Sequence, residues 1–227
     1  MRADDPNLPI LLRVAQALGD LRDDLVFVGG CAAGLLVTDP VVSGVRATDD
    51  VDAIVEAASL TRFHAVEARL GERGFVQDAE SGVICRWRHK ASRTIFDLMP
   101  TDPAILGFAN RWYPEAVRSA HWVNLNPALR IRLLSAPAFV ATKLEAFATR
   151  GKADVFSHDL EDILVLVDGR PELAEELEHA EAAMQAAVRT QFAALLQRPD
   201  FDNALPGLIA DATRADIVLQ RLRGMAE

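Results

Sequence analysis

Along the first part of the chain, apolar positions follow two rhythms. Leu8, Leu11, Leu12, Val14, Ala15 and Leu18 recur at helical spacing, and Gly19 closes the run. Leu25-Val26-Phe27-Val28 is unbroken and apolar and ends in Gly29-Gly30, which reads as a buried strand running into a turn. Small residues over 31–37 predict a short helix stopped by Asp39-Pro40. Residues 51–55 read as a second strand. Ser59 is placed to cap a helix reaching about position 73, with Gly74 as its stop. Residues 83–87 and 94–99 read as strands around the polar turn His89-Lys90-Ala91-Ser92, and 121–125 and 130–134 add two more. After Ser135 the rhythm is helical only, over 137–149, 158–167, 171–187, 190–197 and 212–223. The pattern predicts an α+β fold: strands and helices together over 1–134, then a helical domain over 135–227.

Three features interrupt this pattern. Side chains alternate along a strand, so Thr48, Asp50 and Asp52 share a face. Two carboxylates that close repel, and Asp is disfavoured in strands; a cation between them offsets that cost, and hard oxygen ligands suit Mg2+. A solvated acid cluster at a strand end is the plainer alternative. Second, Asp97 stands inside the otherwise apolar Ile95-Phe96-Asp97-Leu98-Met99. A buried Asp needs a partner, either a metal, which with the first two acids would make a two-metal site, or one of the nearby arginines. Third, Gly29-Gly30 between strand and helix allows close backbone approach to a ligand such as a phosphate, although most such pairs are only tight turns. It is neither a P-loop nor a dinucleotide fingerprint, because the spacings differ.

Composition narrows the classes. Half of the 227 residues are hydrophobic and a quarter charged, too apolar for disorder and too evenly mixed for a membrane protein. No run approaches the ~18 apolar residues of a membrane span. The start Met1-Arg2-Ala3-Asp4-Asp5 is unlike a signal peptide. Two cysteines make no disulfide scaffold. A cytoplasmic protein with no membrane partner is the expectation. The net charge of −9 argues against indiscriminate nucleic-acid coating. Residues 86–152 nevertheless hold eleven Lys and Arg against four acids, a local +7, so the rest carries −16. Trp87, Trp112 and Trp122 interleave with this basic stretch and read first as core or half-buried strand residues.

In order, these features resemble the DNA-polymerase-β-type nucleotidyltransferases. Arg46-Ala47-Thr48-Asp49-Asp50-Val51-Asp52 resembles the R-x-T-x-D-x-D signature of the AbiEii-like (abortive-infection toxin type) members. Leu134-Ser135-Ala136-Pro137 with Ala141-Thr142-Lys143-Leu144-Glu145-Ala146 resembles their K-L-x-A helix. Arg150-Gly151-Lys152-Ala153-Asp154 and Asp159-Leu160-Glu161-Asp162-Ile163 resemble its continuation. The likeness covers about residues 25 to 167, and where many members carry Gly-Ser this chain has Gly29-Gly30. The resemblance implies a mixed β-sheet nucleotidyltransferase core with flanking helices, followed by a C-terminal helical domain, and Mg2+-dependent transfer of a nucleoside monophosphate from an NTP to a hydroxyl on RNA, protein or a small molecule. RNA ends, tRNA ends above all, would be an acceptor, and an antitoxin protein a partner. It implies Asp50, Asp52 and Asp97 as metal ligands, Asp97 being alternatively the base. It also implies that Gly29, Gly30, Thr48, Lys143, Arg150, Asp159 and Asp162 contact the nucleotide. The competing reading is a catalytically degenerate nucleotide- or partner-binding module. From the residues alone, Lys143 and Arg150 are also consistent with a solvated helix face, and Asp159 and Asp162 with a helix-start acid pair favoured by the dipole.

Overall fold

A computed structural model describes residues 5–42 and 44–227; most of the acidic start, Met1 to Asp4, lies outside them. The helices are α1 (Leu8–Leu18), α2 (Ala33–Leu36), α3 (Leu60–Glu72), α4 (Pro103–Leu106), α5 (Tyr113–Arg118), α6 (Ala136–Ala148), α7 (His158–Gly169), α8 (Leu173–Glu178), α9 (Ala182–Leu196), α10 (Pro199–Leu208) and α11 (Ala215–Ala226). The strands are β1 (Leu25–Val28), β2 (Asp50–Val55), β3 (Phe75–Gln77), β4 (Arg86–His89), β5 (Ile95–Pro100), β6 (His121–Asn126) and β7 (Leu129–Leu133). The fold is α+β, as the pattern predicts. Among the described residues no helix is long and apolar enough to cross a membrane.

The chain divides into two units. Among the described residues, the sheet unit is 5–32 with Ala47–Ser135, and the helical unit is 33–42, 44–46 and Ala136–Glu227. The sequence reading drew one boundary, after 134; the helical unit instead also takes Ala33–Arg46. Hydrogen bonds explain the assignment. The N–H groups of Thr38 and Asp39 both donate to the Gly169 carbonyl at 2.9 Å, and Arg170 Nη1 donates to the Leu36 carbonyl at 2.6 Å. A Cβ on Gly169 would lie 2.7 Å from Val37 Cγ1, so this contact needs a glycine.

The sheet unit holds one seven-stranded mixed sheet, ordered β3-β4-β5-β2-β1-β7-β6. Pairing is parallel for β2 with β5 and β1 with β7, and antiparallel elsewhere. Alternation puts Val51, Ala53, Phe96 and Leu98 on one face, all fully buried. The stripes of α1 (Leu11, Val14, Leu18) and α3 (Phe63, Leu70) join this core. Ser59 caps α3 as expected, accepting from Arg62 N–H. In the helical unit, α6 is buried along most of its length, and its small Ala residues permit close helix contact.

Several elements differ from the sequence reading. The expected strand at 83–87 lies three residues later, because Val83 and Ile84, though apolar, are exposed beside a turn. The expected helix 171–187 breaks into α8 and α9, because the Glu181 side chain accepts from Met184 N–H and caps a new start. α9 then runs through the expected 190–197 helix. β3, α4, α5 and α10 carry too few residues, or a proline inside (Pro206), to announce themselves.

Candidate functional site

Thr48, Asp50, Asp52, Asp97, Gly29 and Gly30 fall in the sheet unit; Lys143, Arg150, Asp159 and Asp162 fall in the helical unit.

In the sheet unit, register brings the acids together. Asp52 pairs with Asp97 across the parallel β2–β5 ladder, Asp97 with Arg86 across β4–β5, and Asp52 with Val28 across β1–β2. Directly paired residues point to the same side, so Arg86, Asp97 and Asp52 form one row, with Asp50 on the same face two residues along. Thr48 Oγ1 donates to Asp50 Oδ1 at 2.6 Å, and its own N–H is fixed by Asn7 Oδ1 at 2.9 Å. Asp49, on the opposite parity, is exposed.

Arg86 is the residue that sequence reasoning passed over. Its Nε donates to Asp97 Oδ1 at 2.9 Å and its Nη2 to Asp97 Oδ2 at 2.8 Å, a two-pronged fork; Nη2 also reaches Asp50 Oδ2 at 3.2 Å. The hydrogen bonds that Arg86 donates to Asp97 raise the Arg86 pKa further, against the opposing effect of burial. Asp97 is only 6% exposed, and Arg86 meets its need for a partner, the arginine alternative raised by the sequence. The available signal was the alternation Arg86-Trp87-Arg88, but it names no partner without the register. Beside this row, burial, then the charges of Asp97 and Asp52, push the Cys85 thiol up to about 12. Cys85 is therefore a neutral core residue at physiological pH.

Gly29 gives this face a second feature. Its φ is +74°, and a Cβ there would lie 1.9 Å from Asp52 Oδ2. The Asp52 carboxylate occupies the space a side chain would fill. After Gly30 comes a single 3-10 turn (Gly30–Ala32), not the long helix start that a phosphate cradle uses.

The donor set fits a hard cation at Asp50 and Asp52: both are half-buried carboxylates on one face, with a hydroxyl on the first and a glycine-made space around the second. Asp97 presents both oxygens to Arg86 instead. Among the described residues no group of three His, Cys, Asp or Glu side chains is gathered closely enough to hold a metal ion.

In the helical unit, Lys143 on α6 is 7% exposed and lies 3.0 Å from Asp159 Oδ1 and 2.6 Å from Asp162 Oδ2, both on α7. Burial opposes its charge, but Asp162 and Asp159 more than offset that, and its pKa is raised. Burial likewise works against the Asp159 carboxylate, yet Lys143 and then Arg150 hold its pKa below the ordinary value. Arg150 lies in the turn after α6, not on its face, and closes on Asp159 through Nε at 3.3 Å and Nη2 at 3.1 Å. Arg46 stands 4.0 Å from Glu161 and 3.9 Å from Asp162. The solvated-face alternative does not describe Lys143, a buried cation held between two acids.

No family profile matches the chain, and no curated protein matches it. Solved structures do. An antigenic nucleotidyltransferase-like protein from Paracoccidioides brasiliensis aligns over 88% of this chain and 92% of its own, at 19% identity and a TM-score of 0.52. A candidate nucleotidyltransferase from H. pylori aligns over 100% of this chain and 94% of its own, at 12% identity and a TM-score of 0.46. The first of these likenesses shows that the chain has a nucleotidyltransferase-like fold.

Proposed function

We propose that this protein is a Mg2+-dependent nucleotidyltransferase. The observation that carries the reading is the row of acids on one sheet face, with Gly29 leaving room for the Asp52 carboxylate, in a chain of nucleotidyltransferase-like fold. The acceptor hydroxyl oxygen bonds to the α-phosphorus of an NTP. The bond to the β-phosphate oxygen breaks, pyrophosphate leaves with that electron pair, and the hydroxyl proton passes to solvent. Asp50 and Asp52 are the residues that would hold Mg2+, which when bound neutralises charge on the triphosphate. Thr48 orients Asp50 through its 2.6 Å hydrogen bond, and Gly29 gives Asp52 its position.

Lys143 and Arg150, with Asp159 and Asp162, are proposed as phosphate contacts on the strength of the K-L-x-A motif, as is the nearer kinship with AbiEii-like enzymes on that of Arg46-Ala47-Thr48-Asp49-Asp50-Val51-Asp52. That kinship favours an RNA end as acceptor and an antitoxin protein as partner. The test is incubation with α-labelled NTPs, Mg2+ and total RNA, with Asp50→Ala and Asp52→Ala beside the parent. Label transfer by the parent and none by either variant is expected. NTP binding without transfer under every acceptor condition selects the degenerate binding module, and no NTP binding at all refutes both readings.

A further inference from the structure

We infer that Arg86 takes the place of a second metal ion: the sheet face holds one divalent cation, at Asp50 and Asp52, and the guanidinium keeps Asp97 out of its coordination sphere. The inference rests on the nucleotidyl-transfer reading and goes further than it, because the acid row alone invites a two-metal arrangement. Three observations point to one metal. Both Asp97 oxygens already accept from Arg86, at 2.9 and 2.8 Å, in the fork geometry that makes Arg–carboxylate pairs strong and directional. The same guanidinium reaches Asp50 Oδ2 with one longer contact at 3.2 Å, so it bridges two carboxylates from different strands as a metal ion would, while holding Asp50 by a single prong and Asp97 by two. Arg86 arrives there by register: it is the direct partner of Asp97 in the β4–β5 ladder.

Arginine suits the task because it stays charged at any working pH, and because its planar fork matches a carboxylate where lysine offers only a point charge. Asp97 is then a positioning residue that holds the guanidinium, rather than a metal ligand or a base.

The test counts bound Mn2+ by electron paramagnetic resonance and calorimetry, with a saturating non-hydrolysable NTP analogue. The parent and Arg86→Lys are expected to bind one ion. Arg86→Gln, which removes the charge but keeps a polar, uncharged side chain, is expected to bind two, the second through the freed Asp97. Asp97→Asn is expected to keep one ion with affinity within about threefold. A salt bridge that is merely structural leaves Arg86→Gln at one ion, which overturns the inference. If Arg86→Gln does not fold, Asp97→Asn decides alone, a tenfold loss of Mn2+ affinity overturning it. Two ions on the parent, the second lost in Asp97→Asn, overturn this inference and leave nucleotidyl transfer standing. No bound ion overturns both.

Discussion

Replacing Gly29 by Ala separates two reasons for the glycine. The backbone there has φ +74°, where an L side chain costs about 1–3 kcal/mol. The added Cβ would also stand 1.9 Å from Asp52 Oδ2, 2.7 Å from its Cγ and 2.9 Å from its Cβ. The half-buried carboxylate can swing away, but its Cβ is fixed to β2, so overpacking of about 1–3 kcal/mol remains. Gly29→Ala should therefore lose roughly 2–6 kcal/mol in urea unfolding and weaken Mn2+ binding by displacing Asp52. Asp52→Ala removes the two atoms in worst conflict apart from Cβ itself. In that background the same Gly29→Ala change should cost at least about 1 kcal/mol less, a coupling expected between touching residues. The assay is a double-mutant cycle in urea. Costs that add within about 0.5 kcal/mol would refute the reasoning and leave Gly29 a turn residue with no part in placing Asp52.

Three further outcomes follow from the ion pairs and the thiol. Lys143→Met takes the shared cation from two buried carboxylates, leaving Asp159 to Arg150 and Asp162 to the more distant Arg46, and should cost about 3–5 kcal/mol in urea unfolding, partly recovered by adding Asp159→Asn and Asp162→Asn. The Asp159 carboxyl is held below its unfolded value, so its stabilisation is complete above about pH 4 and is lost as the pH falls through the lower folded value. Stability of Asp159→Asn should accordingly fall less steeply below pH 4 than that of the parent, measured by urea titration at each pH. Cys85, with its thiol near 12, should resist iodoacetamide at pH 7.5 in the folded protein and react in urea, read by mass spectrometry.

Local periodicity made much of this legible. The period of two along a strand placed Thr48, Asp50 and Asp52 together, and Ser59 announced its helix start, because both rest on neighbours within a few residues. Asp97 could be marked as needing a partner, since a charge in an apolar strand is costly wherever it folds. The partner was not legible. Arg86 reaches Asp97 only because the hairpin closes with His89 N–H on the Thr94 carbonyl and Arg93 in a left-handed conformation, φ 61°, and no local pattern reports such a register. The Lys143 pair was half legible: spacing put Asp159 and Asp162 on one face, but their burial against Lys143 depends on α6 meeting α7. The place of Ala33–Arg46 in the helical unit was not legible at all, because its hydrogen bonds go to residues far along the chain.

That last feature has a consequence for synthesis. Thr38 finds its acceptor at Gly169, 131 residues further on. At roughly 5–20 residues per second the ribosome needs on the order of 7–26 s to supply it. Through that interval Val37 and Val42, both buried in the finished fold, belong to a strip of nascent chain whose partner does not yet exist. The helical unit is thus assembled only after translation has passed α7, and release of a chain cut at Ser135 leaves that strip without its seat.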